Sequence, residues 1–150
     1  MQKPLILKNL DEVMEVLGQI KRMDEIAIQG DWGLDQNLAH CAHSIEFAMS
    51  GYPVEKSRFF QHTVGTLVFH YFDSKGFMRH STNEFIPGEA PIPVEKNVDG
   101  LDALETVIRK FDVWDKPLYP HRFYGRLTKK QYARAHVLHI CNHLELINNL

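Results

Sequence analysis

A chain of 150 residues, 44% hydrophobic and 24% charged, is typical of one soluble globular domain spanning residues 1–150. Its formal net charge of −2 provides no electrostatic attraction to nucleic acid or to anionic membranes, so we expect neither as a partner. The unusual feature is the number of histidines, which is nine. Neutral imidazole is the commonest metal ligand in proteins, so the composition directs attention to where these histidines lie.

The N-terminal segment MQKPLILKNL lacks the apolar core of a signal peptide, and no apolar run approaches the length of a membrane span. The chain has two cysteines, Cys41 and Cys141, each within a predicted helix. Two such cysteines do not make the disulfide framework of a secreted protein, so we interpret them as reduced thiols in the core. We expect a cytoplasmic protein.

The first two helices are predicted from caps and apolar spacing. Asn9 is a candidate cap, and Glu12 follows three residues later, as in a capping box. After a break at Gly30–Gly33, a second helix is predicted over about Leu34–Ser50, with Gly51 just past its end.

The middle of the chain predicts one more helix followed by a long irregular segment. Ser57 can cap a third helix that runs to about Lys75. From 77 to 98 the helical periodicity is lost, and several prolines make a helix or a central strand improbable. A fourth helix is predicted over about Leu101–Phe111, capped by Asp99.

The final helix carries the most informative pattern in the sequence. Thr128 and Gln131 form a capping-box pair, and from there the helix is predicted to run to the C-terminus. At about 100° per residue, His136, His139 and His143 lie on one face. With no strand-like alternation elsewhere, we predict an all-α fold.

The second helix also carries histidines. His40 and His43 lie on one side, and an apolar stripe lies nearly opposite. Such a helix is either buried on both faces or has its histidines in water, and the pattern leaves both open. The apolar stripe consists of Leu34, Leu38, Cys41, Ile45 and Met49.

Histidines on facing helices can converge on one ion, which gives a candidate ligand set of His40 or His43 with His139 and His143. The plainer interpretation is a solvated or core pair, because the metalloprotease pattern H-E-x-x-H is absent. Glu46 and Glu145 are predicted to lie on solvated helix faces. The remaining histidines are predicted to be surface or loop residues: His62, His70, His80 and His121.

Three blocks of sequence, in this order, resemble one family. They are W-x-x-x-Q-x-L-x-H-C at Trp32–Cys41, FFQHTVGTLVFHYF followed by IPG at Ile86–Gly88, and YGRLTKKQYARAHVLHICNHL at Tyr124–Leu144. The chain resembles a family of uncharacterised proteins in the DinB-like superfamily, which also holds the YfiT-type proteins proposed as metal-dependent hydrolases.

The resemblance implies an up-down-down-up four-helix bundle with a long, helix-containing crossover between bundle helices two and three, at about 51–98. It favours burial of the second helix on both faces, with the crossover covering the apolar stripe.

The resemblance also implies a metal site. One histidine on the second helix and an H-x-x-x-H pair on the last helix correspond to His40, His139 and His143. His136, His43 and Asn142 are then expected to support these ligands or to line the pocket, although the family often has a histidine where Asn142 stands. Three imidazoles leave coordination positions open on a divalent ion, with Zn²⁺ or Ni²⁺ expected.

Two functions of different classes follow from the resemblance. The first is a metal-dependent hydrolase or thiol-dependent transferase that activates water or a thiol, with a small molecule or a low-molecular-weight thiol as partner. The second is a non-catalytic metal-binding module in stress response or protein interaction; in either case a homodimer is a candidate assembly. In the enzymatic hypothesis aromatic residues of the crossover shape the pocket: Phe59, Phe60, Tyr71, Phe72 and Phe77.

Overall fold

The computed structural model describes residues 3–90, 99–148 and 150, and its regular structure is helical. In this part of the chain β-type pairing is limited to two isolated bridges, Ile28 with Ile147 and His121 with Gly125, so the predicted all-α class is confirmed. No helix of these residues combines the length and the apolarity needed to cross a membrane. The helical elements are α1 (Leu10–Ile20), α2 (Leu34–Ser50), α3 (Arg58–Phe60), a π-helical segment (Gln61–Gly65), α4 (Thr66–Lys75), α5 (Gly100–Asp112) and α6 (Lys129–Leu144).

Side-chain caps begin the helices close to where the sequence predicts. Asn9 accepts the backbone N–H of Glu12 at 2.9 Å, while the Glu12 carboxylate accepts the N–H of Lys8, one residue before the expected partner. At the start of α6, Thr128 and Gln131 form the complete capping box. These bonds satisfy N–H groups that have no partner within the first turn, and so they fix where α1 and α6 begin.

The prediction that the final helix continues to the C-terminus is wrong, because α6 ends at Leu144. The next residues pair with the segment before α2. Ile147 forms an antiparallel bridge with Ile28, and the Gln29 N–H donates to the Leu146 carbonyl oxygen at 2.8 Å. Ile147 is buried in the main core, which accounts for the change of direction.

The third predicted helix is interrupted by the π-helical segment. A Cβ built on Gly65 would lie 2.0 Å from the carbonyl oxygen of Phe123, so only glycine permits this approach. The Gln61 side chain also donates to the carbonyl oxygen of His121 at 3.2 Å. The segment is therefore fitted to the loop that precedes α6.

α2 lies at the centre of the helical packing. It contacts α5 and α6, α1 also contacts both of these helices, and α4 packs against α6. As the resemblance implies, α2 is buried on both faces. Its apolar side packs into one core with residues of α5: Leu38, Cys41, Ile45 and Met49 against Leu104, Val107, Ile108 and Phe111.

The expectation that the crossover covers this apolar side is wrong. The strongly amphipathic α5 takes that position, because its own apolar stripe must also be buried. The irregular segment 77–90 instead lies over the histidine side of α2, where Glu89 contacts His40 and His43. The end of the predicted crossover, 91–98, lies outside the described residues.

The two cysteines are free and buried, as predicted. Burial raises the pKa of the Cys141 thiol to about 11 and that of Cys41 further still. Both are neutral, apolar core residues at physiological pH.

Candidate metal centre

Three histidines from two helices meet inside the protein. α6 presents His139 and His143 one turn apart, and α2 places His40 opposite them. The ring centroids lie 5.2 Å apart for His40 and His139, 5.0 Å for His40 and His143, and 4.9 Å for His139 and His143. One ligand nitrogen from each ring lies within 4.8 Å of the others, so the group could hold a metal ion.

Asn37 determines which ring nitrogen of His143 is available to a metal ion. The Asn37 side-chain amide donates to the carbonyl oxygens of Trp32 and Gly33, both at 3.0 Å, which leaves its Oδ1 as an acceptor. This Oδ1 lies 2.7 Å from His143 Nδ1, so Nδ1 carries the proton. The lone pair of the neutral ring is then on Nε2. That atom is buried and has no hydrogen-bond partner among the described residues.

Glu89 orients the His40 ring through a similar hydrogen bond to its Nδ1. Its carboxylate accepts hydrogen bonds from Nδ1 of His40 at 3.1 Å, Nδ1 of His43 at 2.7 Å and the backbone N–H of Ile86 at 2.9 Å. Burial alone would raise the pKa of Glu89, but the hydrogen bonds from the two histidines outweigh it and hold the pKa at about 2. An ionised Glu89 is an acceptor only, so in the neutral tautomer of His40 the proton lies on Nδ1 and the lone pair on Nε2.

The environment of His139 and His143 favours the neutral imidazole form of both rings. Burial lowers the pKa of His143 to about 3, assisted by repulsion from His40 and His80. Burial also lowers the pKa of His139 well below its usual value, and His143 adds to that effect. Metal binding requires an unprotonated nitrogen, and His139 and His143 each offer one at neutral pH without a metal.

The helical pattern did not decide between His40 and His43 as the ligand from α2, and the structure does. His40 belongs to the triad, whereas His43 is partly exposed and reaches it only through their shared partner Glu89. Asn142 is buried, and its amide donates to the carbonyl oxygen of His80 at 3.3 Å. His43 and Asn142 therefore hold the irregular segment 77–90 against the triad.

Two groups at this site, Glu89 and His80, were not singled out from the sequence. His80 does lie in a loop, as predicted, but its ring stacks on His139 with centroids 5.3 Å apart. Its Nδ1 lies 2.6 Å from the carbonyl oxygen of Ser81 and donates to it, which leaves Nε2 as the acceptor. A segment without periodicity gives no sign of where its side chains point. The one sequence feature that marks Glu89 is its position directly after Ile86–Gly88, a segment that resembles the DinB-like family.

The two helix-associated glutamates differ from each other. Glu46 is partly exposed, as predicted, and it forms an ion pair with Lys110. Glu145 is buried, so its interpretation as a solvated residue is wrong. It accepts the Leu5 N–H at 2.9 Å and forms an ion pair with Arg79 at 2.8 Å, and so it anchors the N-terminal segment.

A cavity of about 410 Å³ adjoins the triad, and both His40 and His139 line it. Of the five aromatic residues predicted to shape it, Phe72 does line it. The other four do not line it: Phe59, Phe60, Tyr71 and Phe77. Phe59 and Tyr71 are 80% and 54% exposed. A single helix turns only one face inward, so other segments complete the aromatic wall: Tyr52, Phe85, Phe123 and Tyr124.

His136 lies in this cavity, as expected for a pocket residue. It is buried, and its ring stacks on Tyr132 with centroids 5.3 Å apart and meets Phe111 edge-on at 5.1 Å. It is not one of the three histidines whose nitrogens converge.

The fold and the site together define an all-α protein in which three histidines, two buried and one half-buried, could hold a metal ion beside a cavity. The chain belongs to the family described as "Protein of unknown function (DUF1569)", whose model matches residues 1–149. No curated protein and no solved structure matches the chain.

Proposed function

We propose that this protein is a metal-dependent enzyme that binds one divalent ion through His40, His139 and His143. The observation that carries the proposal is the buried Nε2 of His143, which lacks a hydrogen-bond partner in the described structure. An unsatisfied buried acceptor is unfavourable, and a metal ion would satisfy it. The neutral donor set of three imidazoles suits Zn²⁺ or Ni²⁺.

The surrounding residues prepare these ligands. Glu89 and Asn37 accept hydrogen bonds from the Nδ1–H groups of His40 and His143, which orients both rings and increases their basicity. A divalent ion bound here would lower the pKa of a coordinated water or thiol. His80 is suited to take up a proton nearby, because its Nε2 is an acceptor and its ring lies against His139.

The adjoining cavity favours catalysis over a purely structural metal site. A structural site is closed by protein ligands, whereas a catalytic site keeps a position open toward substrate. His40 and His139 line a cavity large enough for a small molecule. The substrate would be a small molecule or a low-molecular-weight thiol, and the reaction a hydrolysis or a thiol transfer.

The contacts among α1, α2, α5 and α6 support a finer proposal about the fold. These four helices would form the up-down-down-up bundle of the DinB-like superfamily, with the segment from about 51 to 98 as its crossover. A cytoplasmic location and a homodimer are further proposals. Analytical ultracentrifugation of the purified chain would test the homodimer.

The enzymatic proposal is tested by metal-dependent turnover. Zinc-loaded and nickel-loaded protein would be assayed for hydrolysis of p-nitrophenyl esters and for transfer of glutathione to 1-chloro-2,4-dinitrobenzene. We expect turnover that disappears on chelation, returns with metal, and falls at least about tenfold in His80→Ala with its metal retained. Fully metal-loaded protein inactive in both assays would contradict this proposal and favour the non-catalytic metal-binding module.

A further inference from the structure

The cavity beside the triad contains a second pair of histidines, His121 and His136. His136 lies one helical turn before His139 on α6, and His121 lies in the loop that precedes this helix. Neither belongs to the group whose nitrogens converge for a metal. The same cavity therefore joins the candidate metal site to two further polar side chains.

His136 presents an unsatisfied polar atom. The residue is only 2% exposed, and its ring is held between Tyr132 and Phe111. Its Nε2 is buried and has no hydrogen-bond partner among the described residues. Buried polar groups in proteins are nearly always paired, so a partner from a molecule in the cavity is the simplest way to complete this site.

His121 presents a fixed hydrogen-bond donor. Its Nδ1 accepts the backbone N–H groups of Phe123 and Tyr124, both at 3.1 Å, so the proton of the neutral ring lies on Nε2. The ring stacks on Tyr124 with centroids 4.3 Å apart and an interplanar angle of 14°. The Gln61 side chain also donates to the carbonyl oxygen of His121. These contacts hold the His121 ring and its donor in a fixed position.

Both rings are uncharged at neutral pH. Burial lowers the pKa of His136 to about 3, and burial with repulsion from His136 and Arg122 lowers that of His121 to about 3. A carboxylate or phosphate would gain no ion pair from these rings. The cation Arg122 also lines the cavity, and its Nε donates to the carbonyl oxygen of Val54 at 3.3 Å. The lining near the two rings is otherwise largely apolar: Val68, Phe72, Met78, Phe123 and Ala135.

We propose that His121 and His136 form a subsite for an uncharged hydroxyl, carbonyl or amide group of a small, largely apolar substrate. The apolar body of that substrate would lie against the aromatic wall, and its reacting group would lie at the triad. The inference rests on the proposed function, since it names the substrate class of the same site.

Three probes of similar size test this subsite: toluene, benzyl alcohol and benzoate. Binding would be measured by ligand-observed NMR on untagged protein made metal-free with a chelator. We expect benzyl alcohol to bind about five to ten times more tightly than toluene or benzoate, the gain from one net hydrogen bond. Equal affinities, or tightest binding of benzoate, would overturn the proposal.

Two substitutions and the ¹⁵N resonance of His136 test whether benzyl alcohol binds at the proposed subsite. In His136→Phe the preference for benzyl alcohol over toluene should disappear while toluene binding remains, and the exposed control His62→Phe should behave like the wild type. In ¹⁵N-histidine-labelled wild-type protein, benzyl alcohol should shift the Nε2 resonance of His136. An unmoved resonance would overturn the proposal even if the variant fails to fold.

Zinc titration of the same protein separates the two claims. Preference for benzyl alcohol without zinc binding would contradict the metal-dependent function and support the polar subsite. Zinc binding without that preference would overturn the subsite alone.

Discussion

Asn37 accepts a hydrogen bond from Nδ1 of His143 at 2.7 Å, and this contact determines which nitrogen of His143 faces the other two histidines. The Asn37 amide cannot turn without losing its bonds to the carbonyl oxygens of Trp32 and Gly33. The segment that begins α2 therefore sets the tautomer of a residue near the end of α6. This explains how the fold prepares a ligand before any metal arrives.

Asn37→Leu should weaken zinc binding by about tenfold to a hundredfold, the usual effect of removing the partner of a ligand histidine. Without Oδ1, the His143 proton is free to move to Nε2 and block the lone pair. The dissociation constant would be measured by competition with a chromophoric chelator. Asn148→Leu, at an exposed position away from the triad, serves as the control, and equal weakening in both variants would contradict this role.

Glu89→Gln should weaken zinc binding by about tenfold while preserving the fold. A carboxamide offers one acceptor oxygen where the carboxylate satisfies both His40 and His43, and its NH₂ group faces one of their Nδ1 protons. The same chelator competition measures the change. Glu84→Gln removes an exposed carboxylate that also lines the cavity, and it should leave the affinity unchanged.

Gly65→Ala should destabilise the protein by about 2 kcal/mol, within the range for overpacked sites. The new methyl group would collide with the Phe123 carbonyl oxygen, and either the π-helical segment or the loop would have to move. Urea unfolding followed by circular dichroism gives the free energy of unfolding. Gly33→Ala is the matched control, because nothing lies within 4 Å of its Cβ position.

Acid should destabilise the metal-free protein through His136. Its pKa is about 3 in the folded state and 6.5 as an ordinary histidine. Between these values the unfolded chain binds more protons, so stability is full above about pH 6.5 and is lost as the pH falls toward 3. At pH 5 this ring alone accounts for a loss of about 2 kcal/mol, since each pH unit below 6.5 costs about 1.36 kcal/mol.

His136→Phe removes that contribution. The decrease in free energy of unfolding between pH 7.5 and pH 5 should be smaller in this variant than in the wild type, with urea unfolding as the measurement. His62→Phe should leave the decrease unchanged, because that side chain is exposed. An unchanged pH dependence in His136→Phe would show that the buried ring is not the acid-sensitive group.

The sequence predicts the local structure better than the tertiary contacts. Helical spacing alone placed His139 and His143 on one face, and the cap residues marked the start of α6. The choice of His40 came from the family resemblance, because His40 and His43 share one side of α2. Glu89 could not be placed, since its contacts depend on how an irregular segment folds back onto that helix.

The interruption of the third helix has the same kind of cause. The apolar spacing predicts one uninterrupted helix over residues 57–75, and the π-helical segment lies where Gly65 meets the Phe123 carbonyl oxygen. That contact joins residues far apart in sequence, so local patterns do not reveal it. The premature end of α6 likewise follows from the pairing of Ile147 with Ile28.

The metal content of untagged protein tests the central claim most directly. Wild-type protein incubated with zinc or nickel and desalted should contain about one ion per chain by elemental analysis, and His143→Ala should contain little, because it lacks the buried Nε2. His70→Ala, at an exposed position, should match the wild type. No metal in the wild type, or an undiminished ion in His143→Ala, would contradict a metal site built on His40, His139 and His143.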